Sequence, residues 1–83
     1  MFNNKICLVT GAAQGIGKAI VERFAEQNAQ LVYAIDMNEQ ALLSAFEGRT
    51  NVKPIVMNIC DRATVFEFIE QVKADVNKID VLV

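Results

Sequence analysis

The sequence predicts an α/β domain built on a parallel sheet of four strands in the order 3-2-1-4, half of a doubly wound sheet. Three observations lead there. Short apolar runs alternate with longer stretches of helical periodicity, the pattern of βαβ units. A glycine-rich turn joins the first apolar run directly to a helix. Pro54 lies inside the third run, where a missing N–H is tolerated mainly at a sheet edge, so that strand is placed outermost and right-handed crossovers give the order.

The first strand is Lys5 to Thr10 (KICLVT), whose continuous apolar run from Ile6 to Val9 is expected of a strand buried on both faces. A helix follows from about Gly15 to Asn28, with Ile16, Ile20 and Phe24 at i, i+4 and i+8 facing the sheet. Lys18, Glu22, Arg23 and Glu26 form its solvated side. The second strand is Leu31 to Asp36 (LVYAID), and a helix from Glu39 to Glu47 takes Asn38 as N-cap and stops at Gly48. The third strand is Val52 to Asn58. The third helix starts after Asp61, a good N-cap, and presents Val65, Phe68 or Ile69, Val72 and Val76 on one face, with Phe66 off that stripe. Ile79 to Val83 is the fourth strand. Right-handed crossovers put the first two helices on one sheet face and leave the third alone on the other.

Composition supports one domain and excludes several function classes. The chain has 83 residues, 53% of them hydrophobic, and a formal net charge of -2, with a mean hydropathy of +0.27. That apolar fraction exceeds the roughly 45–50% usual for soluble chains and rules out disorder. The longest apolar runs, such as Ile6 to Val9, fall far short of the roughly 20 residues that cross a bilayer, and no leader pattern opens the chain. The expected setting is soluble and cytoplasmic. Without a Lys/Arg cluster there is no footprint for nucleic acid or an anionic membrane. Cys7 and Cys60 read as reduced core residues, and a chain without His offers no zinc site.

The turn after the first strand reads Thr10-Gly11-Ala12-Ala13-Gln14-Gly15-Ile16-Gly17. Gly11 permits the sharp turn, Gly15 lets backbone approach a pyrophosphate, and Gly17 lets the helix lie close to the strand. The helix N-terminus supplies N–H donors and positive dipole, so even an acidic protein can hold a phosphate there. A P-loop is excluded, because Ala19 stands where its Mg²⁺-binding hydroxyl would be. The G-x-G-x-x-G form is absent too. A glycine turn that merely joins strand to helix is the plain alternative, and the acid downstream weighs against it.

That acid is Asp36, 19 residues after Gly17, close to the roughly 20 expected for a carboxylate that accepts hydrogen bonds from adenosine ribose hydroxyls. Its charge repels a 2′-phosphate. Neither Gln14 nor Met37 brings a cation to offset this, so the pocket is expected to favour NAD over NADP. An ordinary capping or loop aspartate is the alternative.

These residues closely resemble the classical short-chain dehydrogenase/reductase family. The resemblance spans the chain: Thr10-Gly11-x-x-x-Gly15-Ile16-Gly17, Asp36, Asn58-Ile59-Cys60-Asp61, and Ile79-Asp80-Val81-Leu82-Val83. It implies a Rossmann-type three-layer α/β/α fold and an NAD-dependent oxidoreductase moving hydride between nicotinamide and a sugar, polyol, steroid or 3-oxoacyl substrate. It further implies that Gly11, Gln14, Gly15, Ile16, Gly17, Asp36, Met37, Asn58 and Ile59 bind the cofactor. Asn58 would meet the adenine amino group and the Ile59 N–H a ring nitrogen. Family members more often carry Asp at position 58, and an amide oxygen can accept the same bond. Taken without the resemblance, Asn58 reads equally well as a strand-end turn residue.

The family's Asn-Asn-Ala-Gly, Ser and Tyr-x-x-x-Lys elements have no counterpart here. Tyr33 is followed at +4 by Met37, and Ser44 lies in the second helix, so no catalytic residue is assigned. The expectation is a single partial NAD-binding domain over residues 1–83, catalytically inactive alone, that self-associates through the fourth strand or the less covered sheet face. A naturally short module that binds a nucleotide or a partner is the alternative.

Overall fold

In a computed structural model that describes residues 3–83, the strands β1 (Ile6–Thr10), β2 (Leu31–Asp36), β3 (Val52–Val56) and β4 (Val81–Leu82) form one parallel sheet in the order β3-β2-β1-β4. The helices are α1 (Gly15–Glu26), α2 (Glu39–Ala45) and α3 (Arg62–Val76). This is the expected order, with Pro54 on the edge strand opposite Ala34.

Strand pleat sorts the side chains into two cores. Cys7 and Val9 pair in register with Val32 and Ala34, and together with Val52 they pack under α1 and α2 against Val21, Ala25, Leu42 and Phe46. Ile6, Leu8, Tyr33 and Ile35 point the other way, against Met57 and Val72, with Val65, Phe68, Ile69 and Val76 of α3 closing over them. Two helices therefore cover one face and one covers the other. Both faces of β1 and β2 are dry, which is why those strands read as continuous apolar runs.

Three expectations need correction. Ile16 is not part of the sheet-facing stripe: it is 81% exposed, because it sits in the first turn of α1 above the sheet edge, and Val21 and Ala25 take the buried positions with Ile20 and Phe24 beside them. Cys60 is not a core residue. It lies in the turn before α3 and is exposed, whereas Cys7 is fully buried. Several elements are also shorter than expected, since Asn58 lies in the loop after β3 and β4 spans two residues.

The end of α1 shows what shortens an element. Asn28 adopts a left-handed φ of 66°, its N–H donates to Ala25 and the Ala29 N–H donates to Phe24, the paired bonds of a Schellman turn. Asn51 reinforces this closure, its Nδ2 donating to the carbonyls of Ala25 and Ala29, each at 3.1 Å. At the other helices the expected N-caps are in place. Asn38 accepts from the Ala41 N–H and Asp61 from the Thr64 N–H.

Candidate functional site

Parallel strands send all their following loops to one edge of the sheet. Here the turns after β1, β2 and β3 enclose an open cleft of about 270 Å³. Gly11 contributes from the first, Met37 from the second with Ile35 and Asp36 beside it, and Met57, Asn58, Ile59 and Cys60 from the third. The volume lies just below the roughly 300 Å³ at which small-molecule sites begin, so the cleft suits one end of an extended ligand.

The β1–α1 turn has the shape of an anion cradle. Gly11 has a φ of +62°, a conformation that a Cβ disfavours, and Gly15 opens α1 with nothing within 4 Å of the space above it. A Cβ on Gly17 would lie 2.0 Å from the Gly11 carbonyl oxygen, so only glycine lets α1 approach the strand this closely. Gln14 is the extended N-cap residue and makes no side-chain cap, and no acidic side chain occupies the first turn. The first N–H groups of a 12-residue helix are thus left facing outward with the positive end of its dipole.

Asp36, at the end of β2, is half-buried and faces this turn. Its Oδ2 accepts from the Ala13 N–H at 3.1 Å and its Oδ1 from the Asn38 N–H at 2.9 Å. These bonds, Asn38 first, hold the carboxyl below the usual aspartate range against the opposing pull of partial burial. Its main-chain carbonyl accepts from the Met57 N–H at 3.1 Å.

The structure brings the nine expected positions to this edge, eight of them in two groups and Ile16, whose side chain is exposed, between Gly15 and Gly17. Gly11, Asp36, Met37, Asn58 and Ile59 line the cleft, and Gln14, Gly15 and Gly17 form the adjoining turn. Ile16 points outward beside that turn. Met37 and Ile59 expose 64% and 53% of their surface, an apolar lining of the kind that marks a ligand groove. Asn58 closes its own turn, its Oδ1 accepting from the Cys60 N–H at 2.9 Å, which leaves a second lone pair on that oxygen.

Three contributors were not singled out by sequence. Cys60 and Met57 line the cleft, and Thr10 ties the end of β1 to Val83, its N–H and Oγ1 each donating to the Val83 carbonyl at 3.0 Å. A polar residue closing an apolar strand was the available signal for Thr10. Tyr33 is not among the residues lining the cleft; it lies edge-on to Phe68 on the α3 face, and burial pushes its hydroxyl pKa up with a smaller contribution from Asp75.

Comparison with known proteins agrees with this geometry. A family model described as short chain dehydrogenase matches residues 5–83. The 3-oxoacyl-[acyl-carrier-protein] reductase of Escherichia coli (strain K12) is 36% identical over 83 residues, covering 99% of this chain and 34% of the relative. Its Thermotoga maritima counterpart is 41% identical, covering 95% of this chain and 33% of the relative. Galactitol 2-dehydrogenase of Agrobacterium fabrum is 32% identical over 81 residues, covering 98% of this chain and 32% of that enzyme. The chain spans about a third of the length of the curated relatives it matches.

Proposed function

The chain belongs to the short-chain dehydrogenase family, and from that premise we propose that it is the dinucleotide-binding part of an oxidoreductase that moves hydride between a nicotinamide and a carbon bearing a hydroxyl or carbonyl. One observation carries this reading: an uncapped helix N-terminus, a glycine turn and a carboxylate converge on a cleft sized for one end of a dinucleotide. When bound, the cofactor supplies the hydride chemistry. This chain's residues bind and orient it.

In this reading the backbone from Gly11 to Gly17 and the start of α1 hold the pyrophosphate. Asp36 accepts from the adenosine ribose hydroxyls, Met37 and Ile59 flank the adenine, and Asn58 accepts from its amino group. Preference for NAD over NADP follows from charge: Asp36 is an anion, and no Lys or Arg is among the residues lining the cleft. The 83 residues act as one partial domain, and the acid–base groups of the reaction lie outside them. The names of the relatives, two of them reductases of 3-oxoacyl-[acyl-carrier-protein] and one a galactitol dehydrogenase, fit the same hydroxyl–carbonyl chemistry.

Isothermal titration of the chain with NADH and NADPH tests the reading. NADH is expected to bind more tightly, and the purified chain is expected to turn over no alcohol or carbonyl substrate. Absence of NADH binding overturns the assignment, and tighter NADPH binding overturns the role of Asp36.

A further inference from the structure

Asp36 stitches together all three turns that wall the cleft. Its carboxylate reaches the β1–α1 turn through the Ala13 N–H and the β2–α2 turn through the Asn38 N–H, while its carbonyl receives the Met57 N–H from the turn after β3. The neighbouring Ala12 N–H donates to Ile35 at 3.0 Å, so the glycine turn is pinned to the end of β2 at two consecutive amides. Ala13 is only 5% exposed. With the carboxylate in place its N–H is sheltered from water, and a donor that loses its partner at such a site is costly.

A carboxylate offers about four acceptor sites. Ala13 and Asn38 take one each, on different oxygens, and the Met37 amide adds a weaker pull, so acceptor capacity remains for the ribose hydroxyls of the proposed function. The same group can then serve ligand and loop at once. We propose that Asp36 is a positioning residue for the glycine turn, and that it sets the shape of the pyrophosphate cradle independently of any contact with ribose. This rests on the dinucleotide reading for its consequence, which is that cofactor choice and cradle shape are coupled through one side chain. Removing the acid to admit a 2′-phosphate also loosens the cradle, so affinity for the whole class of pyrophosphate ligands falls.

The test separates the two roles with a ligand that cannot use the first. The chain and its Asp36→Ala and Asp36→Asn variants are titrated with NADH and with an NADH analogue whose adenosine ribose lacks both the 2′ and 3′ hydroxyls. If Asp36 acts only on ribose, the variants bind the analogue as tightly as the parent chain does, and the proposal is overturned. If it positions the turn, Asp36→Ala loses about tenfold in affinity for the analogue as well, and Asp36→Asn does so where its amide leaves Ala13 unpaired.

Amide spectra of the unliganded chain give a second readout. Removal of the carboxylate is expected to shift the Ala13 N–H resonance upfield and to speed its hydrogen exchange about tenfold, and an unchanged Ala13 signal overturns the proposal. Should Asp36→Ala fail to fold, the near-isosteric Asp36→Asn carries the test. Ala13 and Asn38 bond to different carboxylate oxygens and only one of those places is an acceptor in the amide, so the Ala13 signal reports whether the turn has lost its partner, and an Ala13 shift without loss of affinity for the analogue overturns the proposal. Failure of the parent chain to bind NADH strikes the dinucleotide reading alone, and the amide spectra still decide whether Asp36 holds the turn.

Discussion

The carbonyl oxygen of Gly11 lies 2.0 Å from the position a Cβ would take on Gly17. The obstacle is backbone, so no side chain can swing aside. Gly17→Ala is expected to force α1 away from the strand, with a cost of about 1–3 kcal/mol from overpacking and a matching loss of dinucleotide affinity. Urea denaturation of the variant checks the first part. An unchanged midpoint would mean that the turn can relax.

The carbonyls of Ala25, in the last turn of α1, and of Ala29, just beyond it, share a side-chain donor from beyond β2 and α2. Asn51→Ala removes the Nδ2 donor that serves Ala25 and Ala29. The expected loss is about 1–2 kcal/mol, read as a lower urea midpoint at constant slope. Asn51→Asp should be worse, since it turns an acceptor and a charge toward two carbonyl oxygens.

Acid should destabilise the fold in a defined window. Asp36, Asp61 and Asp80 are all held below the usual aspartate range, by the amides of Asn38 and Ala13, by the Thr64 side chain and amide, and by the Ile6 N–H followed by Lys78. A depressed folded-state pKa contributes stability that is present above the unfolded value of about 3.9 and is lost as pH falls toward the folded value. Stability is therefore expected to hold at neutral pH and to decline below about pH 4. Asp80→Asn should flatten part of that decline. At the alkaline end the signs reverse: burial, aided by Asp80, raises the Cys7 thiol, so stability is lost as pH rises past the unfolded thiol value of about 8.5.

The two cysteines should differ sharply in reactivity. Cys60 is exposed on the cleft wall and Cys7 is fully buried in β1. A thiol reagent is expected to label Cys60 in the native chain and Cys7 only after unfolding. Because Cys60 lines the cleft, saturating NADH should slow its labelling. Equal rates with and without NADH would place the ligand elsewhere.

Much of the fold was legible because the strands are short, dry on both faces and separated by good caps. Asn38, Asp61 and Pro54 each announce a local geometry that the structure adopts. Periodicity misled at Ile16, since a helix stripe says which face turns inward but not where the helix overhangs the sheet edge. Cys60 was misread for a related reason: an apolar neighbourhood in sequence is not burial when the chain turns. The double duty of Asp36 was hidden more deeply. Its spacing from the glycines pointed to a ligand, whereas the bond to Ala13 depends on the parallel register that sets the end of β2 beside the glycine turn.

The central strand makes its two pairings across very different lengths of chain. Cys7 meets Val32 after 25 residues and Val81 after 74. By loop-closure entropy the longer connection costs about 1 kcal/mol more to close, for a strand that contributes only two residues to the sheet. Assembly should therefore begin with β1, β2 and β3 and finish with β4. Opening should run in reverse, and the amides of Asp80 and Val83, which bond to Ile6 and Leu8, should exchange with solvent well before those in the interior of β2.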